Sequence, residues 1–373
     1  MHKMLNQNEF RFVLSGGGTG GHIFPAIAIA QALLKINPQA KILFVGALGK
    51  MEMERVPAQG FEIIGIPISG FQRRISIKNI KLPFLLLYSL WKCRNILQHF
   101  KPHAAIGTGG YASGPLLFVA SLKNIPIYIQ EQNAFPGLTN KILAKRAYRI
   151  YTGFSGMDNF FKADKILHAG NPVRQELEHC IVSKPEAYAH FNFNPQLKTL
   201  LVLGGSLGAQ PINAAIEQGY KTLLEHNIQI IWQTGSRHFD ALKTKVTSHV
   251  QLHLQPFLTR MDYAYCIADL VISRAGASSL SELICLLKPS VLIPSPYVAE
   301  DHQTKNAQAL ADVGAAVLMP ESHVSVRLLS TILDVMQNDA QREAFRTAMH
   351  PLQHPDAAKV IAQDIFKTLQ TST

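Results

Sequence analysis

The chain has 373 residues, 47% hydrophobic and 16% charged, with 36 basic against 25 acidic side chains and a net charge of +11. That length suits about two domains, and so apolar a composition excludes a disordered chain. The charge points to anionic partners: phosphates, an anionic membrane surface or nucleic acid.

No apolar stretch reaches the roughly 20 residues of a bilayer span. The opening MHKMLNQNEF lacks the apolar core of a signal peptide, so a cytosolic protein is expected. Cys93, Cys180, Cys266 and Cys285 lie far apart without a Cys-x-x-Cys pair. They read as free thiols in a reducing compartment, and no zinc site is expected.

In chain order, FRFVLS (Phe10–Ser15) reads as a buried strand. GGGTGG (Gly16–Gly21), His22, Pro25 and the helix-length apolar run AIAIAQALLKI follow it. Proline is well placed near a helix start. Strand, glycine turn and helix together aim bare N–H groups and a helix N-terminus at an anion. Gly16, Gly18 and Gly21 satisfy G-x-G-x-x-G, but the next strand, KILFVGALGK, ends without the acid a dinucleotide ribose needs. Gly16 and Gly21 also have Walker spacing, but His22 and Ile23 follow instead of Lys and Ser/Thr. A different phosphorylated ligand is therefore expected. The neutral imidazole of His22 can take a proton from an attacking hydroxyl; the alternative is a helix cap or a phosphate contact.

Further strands are expected at KILFVG, EIIGIPI, AAIGTGG and IPIYIQEQ. Between the second and third of these, Arg73–Arg94 interleaves Arg73, Arg74, Lys78, Lys81, Lys92 and Arg94 with Ile75, Ile77, Ile80, Leu82, Phe84 and Trp91. Such a segment can lie on an anionic membrane, or be a buried helix with basic flanks. GTGGYASGP (Gly107–Pro115) is a second anion-facing turn or a plain strand-to-helix turn. In EQNAFPGLTNK, Asn133 suits a sugar and Glu131 is a reserve base; either can equally be buried scaffold. The Gly-Asn-Pro break in HAGNPVR, near Gly170, suits a linker and divides the chain into domains 1–169 and 170–373.

The second half opens on the same plan with KTLLVLGGSLGAQPIN (Lys198–Asn213), then strands at IQIIWQTG, VQLHLQPF, ADLVISRAG and PSVLIPSP. SRAGASSLSELI (Ser273–Ile284) reads as a strand end, a turn and a helix whose N-terminus can stabilise a diphosphate. Glu282, about one turn in, can accept from both ribose hydroxyls or simply complement the helix dipole. Gln303 and Asn306 in AEDHQTKNA suit sugar hydroxyls. A last helix, about 356–370, has Asp356 as its candidate N-cap and an apolar face whose partner the sequence leaves open. Alternating strands and helices give an α/β fold: two Rossmann-like domains facing each other across a cleft.

Two other readings are open on these residues: an NAD(P)-dependent oxidoreductase, and a non-catalytic nucleotide-sugar or nucleic-acid binder. The missing second-strand acid counts against the first. The absence of an RNA-binding motif or a stacking-aromatic pattern counts against the second.

GGGTGGHIFPA, GTGGYASGP, EQNAFPGLTNK, GNPVR, GGSLGAQPIN, SRAGASSLSE and DHQTKNA, in this order over about 300 residues, together resemble the MurG family of bacterial glycosyltransferases. The resemblance implies a GT-B fold and inverting, single-displacement transfer of N-acetylglucosamine from UDP-GlcNAc to the C4 hydroxyl of lipid I, giving lipid II. For that transfer His22, read from its own residue chemistry, stands as the candidate base, with Glu131 in reserve. Thr19, Gly20, Gly21, Asn133, Arg174, Ser206, Leu258, Ala277, Ser278, Ser279, Leu280, Ser281, Glu282 and Gln303 would hold the donor. Gly17, Gly18, Gly109, Gly110 and Tyr111 would hold the acceptor. Neither metal nor cofactor is implied, in keeping with the lack of an Asp-x-Asp motif. The protein would sit peripherally on the cytoplasmic face of the inner membrane, without nucleic acid. Ser279 stands where many relatives have Thr, which keeps the hydroxyl, and the basic-apolar segment matches the family's membrane patch in character only.

Overall fold

The structure is a computed structural model and describes residues 9–68, 82–178, 182–205 and 207–371. Ser206, Cys180 and 73–81 of the basic-apolar segment lie outside the described residues. The chain divides into two units, Met1–Arg174 with His354–Thr373, and Gln175–Gln353.

The first unit carries β1 (Arg11–Ser15), β2 (Lys41–Ala47), β3 (Glu62–Ile66), β4 (Ala104–Gly107), β5 (Ile127–Glu131), β6 (Arg149–Thr152) and β7 (Ile166–His168). Their order is β3-β2-β1-β4-β5-β6-β7, and every pairing is parallel. A parallel sheet needs crossovers that cover both faces, so successive residues of one strand must both be apolar. β1 shows this. Phe12 and Leu14 join a core with the helix Gly20–Ile36, while Val13 joins another with Leu43, Val45, Ile129 and Leu117.

The C-terminal helix Ala357–Thr371 belongs to this first core. Phe366 meets Phe10 and Phe12 edge-on at 5.1 and 5.3 Å. The Tyr151 hydroxyl donates to Asp364 Oδ2 at 2.9 Å, and the Tyr128 and Thr368 hydroxyls pair at 2.8 Å. These contacts register the chain's last residues against the sheet built by its first.

The second unit carries β8 (Lys198–Leu203), β9 (Ile228–Gln233), β10 (Leu252–Gln255), β11 (Leu270–Ser273), β12 (Ser290–Leu292) and β13 (Val317–Leu318). Their order is β10-β9-β8-β11-β12-β13, again all parallel.

Both sheets reverse direction at one point, between β1 and β4 and between β8 and β11. Ligand crevices of doubly wound sheets form at such points, outside the strand C-termini. The loops leaving these four strands are the glycine turns after Ser15, Gly107 and Leu203 and the segment after Ser273. Topology thus gathers motifs that lie about 90 residues apart in sequence within the first unit, and about 70 in the second.

Candidate functional sites in the two units

In the first unit the helix after β1 begins at Gly20, with Thr19 as an extended N-cap and no capping side chain. Gly20 and Gly21 are helical, so His22 is the third helical residue and Pro25 lies inside the helix rather than near its start. The second glycine turn packs on the first. A Cβ on Gly110, at φ +79°, would lie 2.2 Å from the Gly17 carbonyl oxygen. Only glycine allows that approach. The Tyr111 ring lies beside Gly18, and burial, with the Glu52 charge adding, raises its phenol pKa.

His22 is held from behind. Its Nδ1 lies 3.0 Å from the Thr108 carbonyl and 2.9 Å from Gln132 Oε1, and the Thr108 hydroxyl donates to the His22 carbonyl at 2.6 Å.

Two sequence expectations meet a different geometry here. The bare N–H of the first turn is engaged at Gly18. It donates to Glu52 Oε2 at 3.1 Å, and Glu52 Oε1 accepts from Ala47 N at 3.0 Å. Glu52 is fully buried. Glu131 is 1% exposed, and its carboxylate accepts four N–H groups. Asn133 N and Nδ2 donate to Oε1, and Gly137 N and Asn140 Nδ2 to Oε2, at 2.8–3.1 Å. A carboxylate has about four lone-pair sites, so these are filled. Glu131 orders the loop that carries Asn133.

In the second unit the turn after β8 leads into the helix Gln210–Glu225, and the segment after β11 into the helix Ala277–Cys285. No side chain caps either helix, whereas Lys184–Phe191, remote from any glycine turn, has a full Ser183/Glu186 capping box. Uncapped N-termini leave N–H groups for an anion. Of the expected donor residues, Ala277 and Ser278 form the first turn of the second helix with Ser279, while Leu280 is fully buried and Ser281 Oγ bonds the Ala277 carbonyl. The Leu280 N–H donates to the Gly276 carbonyl at 3.0 Å, so the unbonded N–H groups of this helix start lie before it.

Glu282 Oε2 accepts from the Tyr265 hydroxyl at 3.0 Å, which fixes one carboxylate oxygen. Gln303 Oε1 accepts Ser295 N at 2.9 Å. Gln233 ties two expected elements together: its Nε2 donates to Gly205 O at 3.2 Å and its Oε1 accepts Leu258 N at 3.0 Å. Leu258 itself is buried. Arg174 ends the first unit, half-buried. A cavity of about 580 Å³ in the second unit, walled by Pro211, Pro294, Pro296, Tyr297 and Thr304 among others, has none of the expected donor residues in its lining.

Sequence reading missed Glu52, Thr108, Gln132, Gln233 and Tyr265. For Gln132 a signal existed: IYIQEQ sets Gln130, Glu131 and Gln132 at and just past the end of a strand buried throughout. For Glu52, in MEMERVP, none did.

Both halves match glycosyltransferase family 28, the N-terminal domain over residues 12–152 and the C-terminal domain over 199–361. The fold and these turns therefore define a GT-B glycosyltransferase. The chain is 47% identical to the UDP-N-acetylglucosamine–N-acetylmuramyl-(pentapeptide) pyrophosphoryl-undecaprenol N-acetylglucosamine transferase of Bacteroides thetaiotaomicron, over 97% of this chain and 98% of that one. It is 48% identical to the protein of that name from Parabacteroides distasonis, over 97% and 99%. The crystal structure of Acinetobacter baumannii MurG superimposes with a TM-score of 0.76 at 28% identity, covering 96% of this chain and 99% of that one. The chain belongs to this family of transferases.

Proposed function

We propose that the chain transfers N-acetylglucosamine from UDP-GlcNAc to the C4 hydroxyl of the muramoyl sugar of lipid I, yielding lipid II and UDP. Near-full-length identity to transferases of that name carries the reading of the reaction. The bond that forms joins the acceptor C4 oxygen to the donor anomeric carbon. The bond that breaks joins that carbon to the diphosphate oxygen, on the opposite face, so configuration inverts.

Charge on the leaving diphosphate is the main demand on such a site. The uncapped helix starting at Ala277 and the turn around Gly205, with Arg174 and Ser206, answer it. Glu282, fixed by Tyr265, holds the ribose; Leu258 lies beside the uracil; Gln303, Asn133 and Thr19–Gly21 hold the sugar. Gly17, Gly18, Gly109, Gly110 and Tyr111 form the acceptor's wall. His22 takes the C4 hydroxyl proton. Glu131 is left out of that role because its lone pairs are filled by the Asn133–Asn140 loop.

The acceptor is lipid-linked, and among the described residues no helix is long and apolar enough to cross a membrane. The helix Leu82–Phe100 supports peripheral binding to an anionic membrane at the cytoplasmic face. Phe84, Leu87, Tyr88 and Trp91 are 51–73% exposed along its first half, and amphipathic helices seat such side chains at the headgroup boundary. The test is UDP release from UDP-GlcNAc with a lipid I analogue, together with the anomeric configuration of the product. No release, or retention of configuration, overturns the reading.

A further inference from the structure

Behind His22 the first unit buries three side-chain amides in a row. Gln130 and Gln132 are 0 and 1% exposed and Asn171 is 8% exposed. Their orientation follows from backbone anchors. Asn171 Nδ2 donates to the Gln132 carbonyl at 2.9 Å, so Asn171 Oδ1 must face Gln130 and accepts its Nε2 at 2.8 Å. Gln130 Oε1 is thereby turned toward Gln132 and accepts its Nε2. Gln132 Nε2 also donates to the Thr108 and Gln130 carbonyls, at 2.7 and 3.1 Å. Flipping that amide would set its oxygen against three other oxygens. Gln132 Oε1 is left pointing at His22 Nδ1, 2.9 Å away, where the Thr108 carbonyl is a second acceptor at 3.0 Å.

Two acceptors on one ring nitrogen require a proton there. The surroundings are cut to fit. A Cβ on Gly153 would fall 2.1 Å from Asn171 Oδ1, and one on Gly109 would fall 2.9 Å from His22 Nδ1.

We propose that Gln132, oriented through Gln130 and Asn171, is the positioning residue that locks His22 as the Nδ1–H tautomer and leaves the lone pair on Nε2. The inference rests on His22 as the proton acceptor of the transfer. During transfer the C4 hydroxyl proton moves to Nε2, and the imidazolium keeps its Nδ1–H bonds to Gln132 and Thr108. Gln132 donates to Gln130 and Gln130 to Asn171, away from the ring, so the amide oxygens point toward His22 and the acceptor at Gln132 Oε1 is strengthened. The amide chain performs with neutral groups the orienting task that a carboxylate performs in a Ser-His-Asp triad.

The experiment is long-range ¹H–¹⁵N correlation on the full chain with ¹⁵N-histidine, the His22 signals being assigned by their loss in His22→Ala. Wild type is expected to show Nδ1 protonated and Nε2 bare. In Gln132→Met the signals should move toward a tautomer mixture, with kcat reduced about tenfold and donor KM within twofold. Gln130→Met, which removes the next link but leaves the Gln132 amide, should fall between. An Nε2–H tautomer in wild type overturns the proposal whether or not the variants fold. An unchanged Nδ1–H tautomer in a folded Gln132→Met also overturns it. The His22→Ala rate separately tests His22 as the base, so the two failures are distinguishable.

Discussion

The two units place glycine turns at the same topological point and use them differently. In the first, the Gly18 N–H is already matched to a buried carboxylate, Glu52, and the following helix presents a histidine in its first turn. In the second, Gly205 has open space where a Cβ would stand, and the helices Gln210–Glu225 and Ala277–Cys285 start without side-chain caps, as Gly20–Ile36 also does, but with no buried carboxylate on their turns among the described residues. A glycine turn before a helix is thus not one device. With its donors filled internally it is a rigid mount for a side chain; with its donors open it is a receptor for charge. On the proposed reaction, the first unit would hold the base and the acceptor, and the second the leaving group.

The largest effect should come from removing what the first mount carries. His22→Ala should lower kcat by about 10²–10⁴-fold, the usual worth of a positioned general base, while donor KM stays within about twofold of wild type, the margin of an interaction confined to the transition state. Steady-state UDP release measures both. A large rise in donor KM instead would make His22 a ligand of the donor and erase the contrast between the turns.

Next is the mount itself. Glu52→Ala leaves the buried Ala47 N–H without a partner, at about 1–3 kcal/mol, and releases the half-buried Gly18 N–H. The denaturation midpoint should fall accordingly, and kcat with it, because the turn beneath His22 relaxes. If Glu52→Ala instead bound inorganic phosphate without losing stability, the first turn would be a receptor after all.

On the second unit, Glu282→Ala should raise donor KM by about 10–100-fold, the worth of hydrogen bonds to a charged group, with little change in kcat. Tyr265→Phe, which removes that one hydroxyl bond to the carboxylate, should raise it about threefold, near the net worth of one hydrogen bond. Equal effects of these variants on kcat and on kcat/KM would place the pair in catalysis rather than in donor binding.

Much of this was legible in the sequence because it is written locally. The expected strands at 10–15, 41–46, 62–68, 104–110, 125–132 and their counterparts in the second half are present, most of them apolar runs with a glycine or proline at or near their end. β6, β7 and β13, of 4, 3 and 2 residues, were not anticipated; they show as strands through their pairing along the sheets. The site divides in the same way. His22 stands out by its place after a glycine cluster. Glu52 and Gln132 act through partners 34 and 110 positions away, and no local pattern reports such a distance. Glu131 looked like a base because a strand-end carboxylate is visible in sequence and the four N–H groups that fill it are not.

The smallest expected effect is a pH dependence of stability, to which His103, His168 and His354 in the first unit contribute alongside His253 in the second, itself lowered chiefly by burial. His103 Nδ1 accepts the Arg11 backbone N–H at 3.0 Å, a bond that exists only while Nδ1 is unprotonated. Burial lowers its pKa and the Arg11 charge lowers it further, against a smaller opposing pull from Glu9. His168 and His354, edge-on at 4.2 Å in the same unit, are lowered too, chiefly by burial. With the folded pKa below the unfolded one, the unfolded chain binds the proton first as pH falls past about 6.5. The stability these neutral rings contribute is complete above that value and is lost as pH drops through their folded pKa values. The urea midpoint should therefore decline between about pH 7 and 5. His103→Asn, which keeps an acceptor for Arg11 and cannot titrate, should flatten part of that decline while UDP binding to the second unit stays level. A decline of undiminished slope in that variant would assign the loss to other groups.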